Sequence, residues 1–324
     1  MTDLNIHRQT QVNQDDLFLQ DIFAGWSAVG QKTLPCKYFY DEKGSQLFDQ
    51  ICQTPEYYHT RTELAILARA LPEVAQYIGP HADILEFGSG AGIKIRKLID
   101  ALSSPRTYIP IDISEEILLA SSAQLAQQYP ELAVFPVVAD YLSPIQLPEQ
   151  FSHQSEHKKL VFFPGSTISN FEPQAAIHFI KHIRALLGEG DALLIGVDLV
   201  KPAERILAAY NDAQGVTAAF NMNLLQRIQN TYQTDLDLDT FCHRAIYNVE
   251  RSRIEMHLIS TVQQDIQIEG RRFAFAEQES IHTENSYKYS LESFQLLARN
   301  GGFDCTHCYT DAQQLFSVHY LTAN

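Results

Sequence analysis

The chain has 324 residues, of which 45% are apolar, enough for one large domain or two ordinary domains with a substantial core. This composition excludes a short peptide, a coiled coil and a disordered tail. Its 24 basic and 39 acidic residues give a formal net charge of −15. Because such a charge repels polyanions, a nucleic-acid partner is disfavoured.

The composition also bears on location and metal content. No apolar run reaches the roughly 20 residues that a membrane helix requires, and the opening MTDLNIHRQTQVNQDD lacks a charged-then-apolar leader. Five scattered cysteines suit a reducing compartment, so we expect a cytoplasmic protein without a membrane partner. Cys305 and Cys308 form a CxxC pair, but no second pair completes a tetrahedral zinc site. We interpret them as strand residues and expect no metal.

From about residue 63, apolar runs alternate with helical stretches, which is typical of parallel strands joined by helical crossovers. The predicted strands are 82–87, 107–111, 133–138, 159–163 and 191–197. Several of these runs lead directly into Gly, Ser or Asp, where loops are expected at the carboxyl edge of a sheet. This part of the chain predicts an α/β core.

After Val200 the pattern changes. Amphipathic helices are predicted at 202–210 and 216–231, followed by strand-like pieces at 247–261 and 271–275. We interpret this stretch as a second, inserted unit. The chain returns to helix at 291–300, and two β-rich pieces, 303–309 and 315–321, are predicted to pair as a hairpin at the sheet edge.

A glycine-rich loop follows the first predicted strand. Gly88, Gly90 and Gly92 alternate between a strand and a helix, which lets the backbone approach a ligand and directs amide groups towards it. A nucleotide-like cofactor is therefore expected. A dinucleotide fingerprint requires a third glycine where this chain has Ile93, so NAD or FAD is a poorer fit.

Acidic residues end the next two predicted strands. Asp112 lies 22 residues after Gly90, close to the spacing of roughly 20 at which an acid accepts hydrogen bonds from a ribose diol. Asp140 and Tyr141 follow the third strand and suit an adenine, since the acid accepts from the amino group and the ring stacks on the base. The glycine loop and these acids together favour S-adenosylmethionine (SAM) as the cofactor.

Five blocks of uncommon sequence extend over nearly the whole chain. They are KYFYDEKGSQLFD at 37–49, TPEYYHTRTE at 54–63, LEFGSG at 85–90, FPGSTISNF at 163–171 and TENS at 283–286. In these blocks and in their order, the chain resembles the SAM-dependent histidine Nα-methyltransferases of ergothioneine biosynthesis. The resemblance implies three successive methylations of the α-amine of L-histidine, which give the betaine hercynine.

The resemblance also implies a domain organisation. It implies an α/β, Rossmann-like class I methyltransferase core at 64–199 plus 287–324. A second, inserted α+β substrate domain would comprise 1–63 plus 200–286. The implied partner is a small amino acid rather than a nucleic acid, and we expect a monomer.

The family's substrate residues carry over one position at a time. Tyr40 matches the tyrosine that faces the reacting amine. The residues that match those holding the polar groups of the amino acid are Tyr57, Asn170 and Tyr210. Glu284 and Ser286 match the pair that reads the imidazole ring.

The family's cofactor residues match Gly88, Lys94, Asp112, Asp140 and Tyr141, and we add Gly90 of the same loop. The chain departs from many relatives at 91–93, where Ala-Gly-Ile replaces polar residues. We expect this difference to affect cofactor affinity more than reaction type.

The imidazole pair has a physical basis of its own. Glu284 and Ser286 are two residues apart, so on an extended segment both side chains project from one face, and that of Asn285 points away. A carboxylate accepts from one ring N–H and a hydroxyl serves the other nitrogen. Such a pair penalises any side chain that leaves it unpaired. His59, His243, His257 and His282 have no spacing that joins them to a nucleophile, and we interpret them as structural.

Other functions stay open at this stage. The same fold and cofactor can serve methylation of another amino acid or amine, against which Glu284 and Ser286 argue. A SAM-binding regulatory module without catalysis would be favoured by apolar substrate positions, whereas here they are polar. A NAD-dependent dehydrogenase is more distant, and titration with SAM and NAD would distinguish it. Methyl transfer requires alignment of the reactants and no metal.

Overall fold

The computed structural model describes residues 6–8, 14–90, 92–141, 145–148, 151 and 157–324. Ala91 of the glycine loop and most of the polar segment at 1–16 lie outside these residues. The chain forms two compact units. The first unit comprises residues 1–10, 59–200 and 288–324, and the second comprises 11–58 and 201–287.

The strands, in chain order, are β1 (His7–Arg8), β2 (Lys32–Thr33), β3 (Asp83–Phe87), β4 (Thr107–Asp112), β5 (Ala133–Val134), β6 (Val137–Val138), β7 (Lys159–Phe163), β8 (Ala192–Asp198), β9 (Phe241–Asn248), β10 (Arg253–Ser260), β11 (Gln264–Ile268), β12 (Arg271–Phe275), β13 (Ser280–Tyr287), β14 (Phe303–Thr310) and β15 (Phe316–Ala323). The α-helices are α1 (Gln14–Trp26), α2 (Glu42–Ile51), α3 (His59–Ile78), α4 (Ile93–Ala101), α5 (Glu115–Gln128), α6 (Pro173–Ala185), α7 (Ala203–Tyr210), α8 (Val216–Tyr232) and α9 (Leu291–Asn300).

The first unit is built on one sheet with the strand order β1-β6-β4-β3-β7-β8-β15-β14, and β5 pairs with β4. Strands β6, β4, β3, β7 and β8 run parallel to one another, whereas β15 is antiparallel to β8. Every residue of β3, β7 and β8 is buried, as expected for strands covered on both faces. The predicted Rossmann-like core is therefore confirmed.

The strand order determines where a ligand can bind in this unit. Strand β3 pairs with β4 on one side and β7 on the other, so the chain leaves β3 in one direction and later returns to its opposite edge. In open α/β sheets, ligands bind outside the carboxyl ends of the strands at such a switch point. The glycine loop begins at this end of β3.

Helix α3 shows why the sequence forms the core. Its buried apolar residues recur at helical spacing, so one stripe of the helix faces the sheet. The members of this stripe are Ile66, Leu67, Ala70, Leu71, Val74 and Ile78. Leu98 of α4 and Phe162 of β7 belong to the same buried cluster. A single charged residue of α3, Glu63, is as deeply buried as this stripe.

The second unit combines helices with antiparallel strands. Its main sheet has the order β2-β13-β10-β9, and β11 and β12 form a separate hairpin. Strands β10 and β13 are antiparallel with a register shift at Met256 and His257. Helices α1, α2, α7 and α8 belong to this unit. The predicted α+β character of the second unit is confirmed.

Three secondary-structure predictions have definite outcomes. The single strand predicted at 133–138 is wrong, because Phe135 and Pro136 separate β5 from β6 and proline has no N–H for a ladder bond. The piece predicted at 247–261 is interrupted by a turn in which Ser252 has a φ of +50°. The hairpin predicted near the chain end is present, and β14 lies at the sheet edge.

A buried charged group lies where the chain passes between the two units. The passages fall at 10/11, 58/59, 200/201 and 287/288. Asp198, at the end of β8, is fully buried, and its Oδ2 lies 2.9 Å from His59 Nε2 and 2.8 Å from Lys288 Nζ. These three residues of the first unit therefore hold together the chain segments next to the last three passages.

The structure adds two facts to the expectations from composition. All five cysteines are free thiols. Within the part of the chain that the structure describes, no helix has the length and apolar character needed to cross a membrane.

Gly301, at the end of α9, provides a test of the packing in the first unit. A Cβ atom added there would lie 2.1 Å from Cγ2 of Ile180, which is fully buried in α6. We expect Gly301→Ala to lower the free energy of unfolding by about 1–3 kcal/mol, because α6 and α9 must move apart.

Gly188→Ala is the matched control, since its Cβ would lie 3.5 Å from Asp191 Oδ2, an ordinary contact. We expect a change within about 0.5 kcal/mol for the control in urea unfolding. Equal stability of the two variants would contradict the packing described for Gly301.

Candidate functional site

The glycine loop exposes its backbone at the end of β3. Gly88 has a φ of +69° and Gly90 a φ of +48°, in the left-handed region that favours glycine. Among the described residues, a Cβ on Gly90 would meet no atom within 4 Å, and a Cβ on Gly88 would meet Cε1 of Tyr141 at 4.0 Å. These residues therefore leave space in front of the loop, so a ligand can approach its amide groups.

Asp112 joins the glycine loop to the end of β4. Its Oδ2 accepts a hydrogen bond from the backbone N of Gly90 at 3.1 Å, and its Oδ1 accepts from that of Ser114 at 2.9 Å. Burial raises the pKa of Asp112, while the hydrogen bonds from Ser114 and Gly90 oppose this increase. The carboxylate thus lies at the edge where the sequence predicts a ribose acceptor.

The segment after β6 completes this edge of the sheet. The backbone N of Ala139 donates to the carbonyl oxygen of Asp112 at 3.1 Å, which places Asp140 and Tyr141 directly beyond the paired strands. The ring of Tyr141 lies 5.9 Å from that of Phe87 and 5.7 Å from that of Phe179. The structure therefore brings the predicted glycine, ribose and adenine residues to one edge.

Lys94 lies in the first turn of α4, after the glycine loop. Its Nζ is 2.5 Å from Oε2 of Glu63, a residue of α3 that is only 1% exposed. The sequence patterns predict no role for Glu63. Two features could have indicated one. Glu63 ends the block at 54–63, and its neighbours on the same face of the helix are apolar.

Glu86 is a second buried acid that the sequence analysis missed. Burial raises its pKa to about 8, and the hydrogen bond from Tyr108 and the nearby Lys94 oppose the shift. The hydroxyl of Tyr108 donates to Oε2 of Glu86 at 2.5 Å. Glu86 is therefore largely protonated at neutral pH.

The residues at this edge fit SAM. The Oγ of Ser89 is buried and, among the described residues, has no hydrogen-bond partner, so the loop offers an unused polar atom next to its open backbone. Asp112 supplies an acceptor suited to a ribose diol and Lys94 a cation suited to a carboxylate. Tyr141 supplies an aromatic face for a base.

In the second unit, an aromatic cluster surrounds two of the predicted substrate residues. Tyr40 follows a short 3-10 helix at Cys36–Phe39. Its ring centre lies 5.7 Å from that of Phe48 and 5.8 Å from that of Phe220. The ring centre of Tyr57 lies 6.2 Å from that of Phe48. Phe48 therefore packs edge-on against both tyrosines.

The remaining predicted residues of this unit join the same cluster. The hydroxyl of Tyr210 donates to Oγ of Ser286 at 2.7 Å, and both residues are buried. Burial raises the pKa of Tyr57 well above its usual range, and the nearby Tyr210, Tyr40 and Glu284 raise it further. The structure therefore brings all five predicted residues of the second unit together.

The strand register determines which face of β13 carries the side chains of Glu284 and Ser286. Glu284 lies opposite Met256 and Ser286 opposite Ile254, in continuous antiparallel register. Their side chains therefore share one face of the sheet, and that of Asn285 lies on the other. Asn170, the remaining predicted substrate residue, ends a 3-10 helix at Thr167–Asn170 in the first unit.

A cluster with metal-ligating groups lies on β10 and β13. Ligand atoms of Glu255, His257 and His282 lie within 4.8 Å of one another. The two histidine rings are stacked at an interplanar angle of 18°, so their nitrogen lone pairs run nearly parallel and do not converge on one point. Glu255 Oε1 accepts from Nε of Arg253 at 2.7 Å, which places a cation beside any ion.

A hydrogen bond and burial explain the states of the two histidines in this cluster. His282 Nε2 donates to the backbone oxygen of Glu284 at 3.0 Å, next to the register shift. Burial and, to a smaller extent, the neighbouring His282 lower the pKa of His257 to about 4, so the ring is neutral at physiological pH. The expectation of a metal-free site stays a prediction.

Cys305 and Cys308 lie on β14 and both contact His319. Sγ of Cys305 lies 3.5 Å from His319 Nδ1, and Sγ of Cys308 lies 4.0 Å from His319 Nε2. Burial raises the pKa of Cys305, and that of Cys308 to about 12. Both groups are therefore thiols rather than reactive thiolates at neutral pH.

Known proteins match the chain over almost its whole length. A family model described as histidine-specific methyltransferase, SAM-dependent, matches residues 18–323. The chain is 38% identical over 299 residues to the histidine N-alpha-methyltransferase of Mycolicibacterium smegmatis, and the match covers 90% of each protein.

Two fungal proteins are more distant relatives. Ergothioneine biosynthesis protein 1 of Neurospora crassa is 29% identical over 301 residues, which cover 90% of this chain and 33% of that protein. The 4-dimethylallyltryptophan N-methyltransferase of Claviceps purpurea is 24% identical over 302 residues, which cover 84% of this chain and 86% of that protein.

Glu86 provides a test of the electrostatics at the cofactor edge. Its pKa rises from a usual value of 4.5 to about 8 in the folded protein, so the folded state retains a proton that the unfolded state releases. The resulting stability is fully present below pH 4.5 and is lost as the pH rises towards about 8. In Glu86→Gln, the loss of unfolding free energy between pH 5 and pH 8 should be smaller than in the wild type, by on the order of 1–4 kcal/mol.

Urea unfolding at several pH values, without added SAM, provides the measurement. Glu131→Gln is the control, because Glu131 is exposed and the same substitution there should leave the wild-type pH dependence unchanged. Parallel pH profiles for the wild type and Glu86→Gln would contradict the protonated state of Glu86.

Proposed function

This chain belongs to the family of SAM-dependent histidine-specific methyltransferases, and from that premise we propose that it methylates the α-amine of L-histidine three times. The product would be hercynine, as a step of ergothioneine biosynthesis. The assignment to that pathway is supported by the similarity to ergothioneine biosynthesis protein 1 of Neurospora crassa. The chain is an enzyme that uses SAM, and its family acts on histidine.

The observation that carries the proposal is the convergence of Tyr57, Tyr210, Glu284 and Ser286 within the second unit. Glu284 and Ser286 share a face of β13, so an imidazole ring can contact both. The carboxylate would accept from one ring N–H. The Ser286 hydroxyl accepts from Tyr210, and because a hydroxyl can both accept and donate, it would serve the unprotonated ring nitrogen.

This arrangement favours histidine over an indole or a phenyl ring. An indole has one N–H and no acceptor, so it leaves the Ser286 hydroxyl unsatisfied, and a phenyl ring leaves both groups unsatisfied. Leaving a buried polar group without a partner costs about 1–3 kcal/mol. Specificity therefore follows from hydrogen bonds that only an imidazole completes.

The aromatic cluster suits the amino end of the substrate. Because burial raises the pKa of Tyr57 well above its usual range, its side chain stays a neutral phenol that donates hydrogen bonds. Tyr40, beside Phe48 and Phe220, is proposed to face the reacting amine. Ring faces attract a methylated ammonium by cation–π interaction, which favours retention of the partly methylated amine.

The cofactor residues divide their tasks in the first unit. Asp112 would accept from the ribose hydroxyls, Asp140 and Tyr141 would hold the adenine, and Lys94 would bind the carboxylate. When bound, SAM supplies an electrophilic methyl group on a sulfonium. The glycine loop, with Gly88 and Gly90, leaves room for the backbone to contact this ligand closely.

The second candidate is methylation of another amine with the same cofactor. It is favoured by the similarity to a 4-dimethylallyltryptophan N-methyltransferase, whose substrate carries an indole. The hydrogen-bonding pair Glu284 and Ser286 argues against it, for the reason given above. We also propose a monomer in the cytoplasm, because one chain supplies all of the described site residues and its five cysteines are free thiols.

Mass spectrometry of the reaction products tests substrate and reaction together. Purified protein is incubated with SAM and a mixture of the twenty amino acids. We expect histidine alone to gain about 42 mass units, for three methyl groups that replace three hydrogens, because alignment at one amine allows successive transfers. Fragmentation must place all three methyl groups on the α-nitrogen. A methylated amino acid other than histidine would contradict the proposal and favour the second candidate.

Replacement of the imidazole pair tests specificity. In Glu284→Gln and in Ser286→Ala, kcat/KM for histidine should fall by a factor that corresponds to about 1–3 kcal/mol for each change, because the first removes the charge of the acceptor and the second removes the hydroxyl donor. The affinity for SAM should change far less. In Glu284→Leu/Ser286→Ala, the ratio of kcat/KM for histidine to that for tryptophan should fall, because the penalty against an unpaired ring disappears.

Glu277→Gln is the control, since Glu277 is an exposed residue of the same unit. Thermal melting establishes that each variant is folded. An unchanged ratio of kcat/KM in the double variant would remove Glu284 and Ser286 from the specificity assignment, even with methyltransferase activity intact.

A further inference from the structure

Glu63 is a buried carboxylate of the first unit for which the proposed function provides no role. It is 1% exposed and projects from α3 towards the carboxyl edge of the sheet, where it contacts three other segments. These segments are α4 through Lys94, the loop after β7 through Gly165, and β8 through Gly196. One side chain therefore connects the cofactor helix with the loop that carries Asn170.

The loop after β7 depends on this carboxylate. Oε1 and Oε2 of Glu63 lie 2.9 and 3.0 Å from the backbone N of Gly165, which donates to both. Gly165 has a φ of +82° and Ser166 a φ of +60°, so two consecutive residues are left-handed. For a residue other than glycine this conformation costs about 1–3 kcal/mol and persists only where the surroundings hold it.

The same loop leads directly to Asn170. Ser166 Oγ accepts from the backbone N of Asp198 at 2.7 Å and lies 2.6 Å from Oγ of Ser169. These bonds hold the 3-10 helix at Thr167–Asn170 against the end of β8. The position of Asn170 therefore depends on a turn whose first amide is bound by Glu63.

The Glu63 carboxylate also lies in a space that is available because residue 196 of β8 is a glycine. A Cβ on Gly196, in the middle of β8, would lie 2.0 Å from Oε1 of Glu63. Only a glycine leaves room there for the carboxylate to lie against the strand. The position of Glu63 is thus bounded by β8 on one side and by Gly165 on another.

The third contact is with the ammonium group of Lys94, 2.5 Å from Oε2. The lysine side chain is 19% exposed, so its charge can still reach a ligand, whereas the carboxylate cannot. An ion pair with one buried partner is a poor source of stability, because desolvation offsets the Coulombic gain. The ion pair is better explained by its effect on position, because it fixes where the Lys94 ammonium group lies.

We infer that Glu63 is a positioning residue: it holds the Lys94 ammonium group where the carboxylate of SAM binds, and it holds the loop that carries Asn170. Glu63 itself does not contact the reactants. The inference deepens the proposed function and rests on its assignment of Lys94 to the cofactor. Affinity for SAM therefore depends on Glu63 through Lys94, and affinity for histidine depends on it through the loop.

Glu63→Gln separates the two tasks. The amide oxygen can still accept from Gly165, but the amide NH2 cannot pair with Lys94. We expect the Kd for SAM, measured by calorimetry, to rise at least about tenfold, while the KM for histidine and kcat at saturating SAM change less than about threefold. Glu63→Ala removes both contacts, and the KM for histidine should then rise as well, by at least about fivefold.

A simple charge-neutralising role predicts the opposite result for Glu63→Gln. If Glu63 only offsets the charge of Lys94, its loss frees that charge, and the carboxylate of SAM binds as tightly as before or more tightly. An unchanged or lower Kd for SAM in a folded Glu63→Gln variant would therefore overturn the inference.

A double-mutant cycle excludes a general structural effect. In the Lys94→Met background, the further change Glu63→Gln should alter the Kd for SAM less than about twofold, because the contact through which Glu63 acts is already lost. The same tenfold loss in both backgrounds would mean that Glu63 supports the fold in general, which would also overturn the inference. Glu73→Gln is the matched control, since it makes the same change on the exposed face of α3.

Lys94→Arg provides a test that leaves the buried carboxylate intact. The guanidinium keeps the charge and the pairing with Glu63 but places its nitrogens elsewhere. We expect at least a fivefold rise in the Kd for SAM, since position and not charge alone is required. Wild-type affinity in Lys94→Arg would overturn the inference whether or not the Glu63 variants fold.

The proposed function and the role of Glu63 can be contradicted separately. If the wild-type protein binds SAM but methylates an amino acid other than histidine, the proposed function fails while the Lys94 measurements still test Glu63. If Lys94→Met binds SAM with wild-type affinity, the assignment of Lys94 in the proposed function is wrong and the inference falls with it. Intact activity on histidine with unchanged SAM affinity in Glu63→Gln contradicts the inference alone.

Discussion

The parallel pairing of β3 with β4 on one side and with β7 on the other is the constraint on which the first unit depends. It brings the carboxyl ends of three strands to one edge, and each of these ends continues into a loop with a functional assignment. The hydrogen bond from Gly90 to Asp112 closes the edge between β3 and β4. Glu63 reaches the other side, where the loop after β7 begins. A ligand at this switch point is therefore surrounded by backbone whose position the sheet determines.

In the second unit, an antiparallel pair of strands determines the positions of the polar side chains. Strand β13 presents alternate residues to alternate faces, so Glu284 and Ser286 lie together and Asn285 lies opposite. The hydrogen bond from His282 to the Glu284 carbonyl lies beside the register shift, where the alternation of side chains is reset. Rigid strands, rather than loops, thus carry the polar groups that we propose distinguish one ring from another, which favours precise geometry.

Patterns in the sequence predict those features that depend on residues close to one another in the chain. The glycine loop, Asp112 and Tyr141 follow strands whose apolar runs are visible, and parallel strands place their ends together. Contacts between distant segments carry no such signal. The bond between Tyr210 and Ser286 joins residues 76 positions apart, and family resemblance alone indicated that both serve the substrate. Glu63 and Glu86 were missed because the sequence alone does not show whether an acid among apolar residues is buried or which residue it contacts. The break at Phe135 and Pro136 was missed because the run remains apolar throughout.

The buried group formed by His59, Asp198 and Lys288 has a consequence for recombination between relatives. The second unit is discontinuous in the chain, so its transfer into another member of the family requires four junctions. The last three junctions each lie within three residues of one member of this group. A chimera whose junctions keep all three residues from one parent retains the pairing of Asp198. A junction that replaces Lys288 or His59 by an unmatched residue leaves a buried carboxylate short of a partner, and separating such a pair costs about 3–5 kcal/mol. Three of the boundaries at which this fold accepts a foreign second unit are therefore set by charge pairing within the core, to a precision of a few residues.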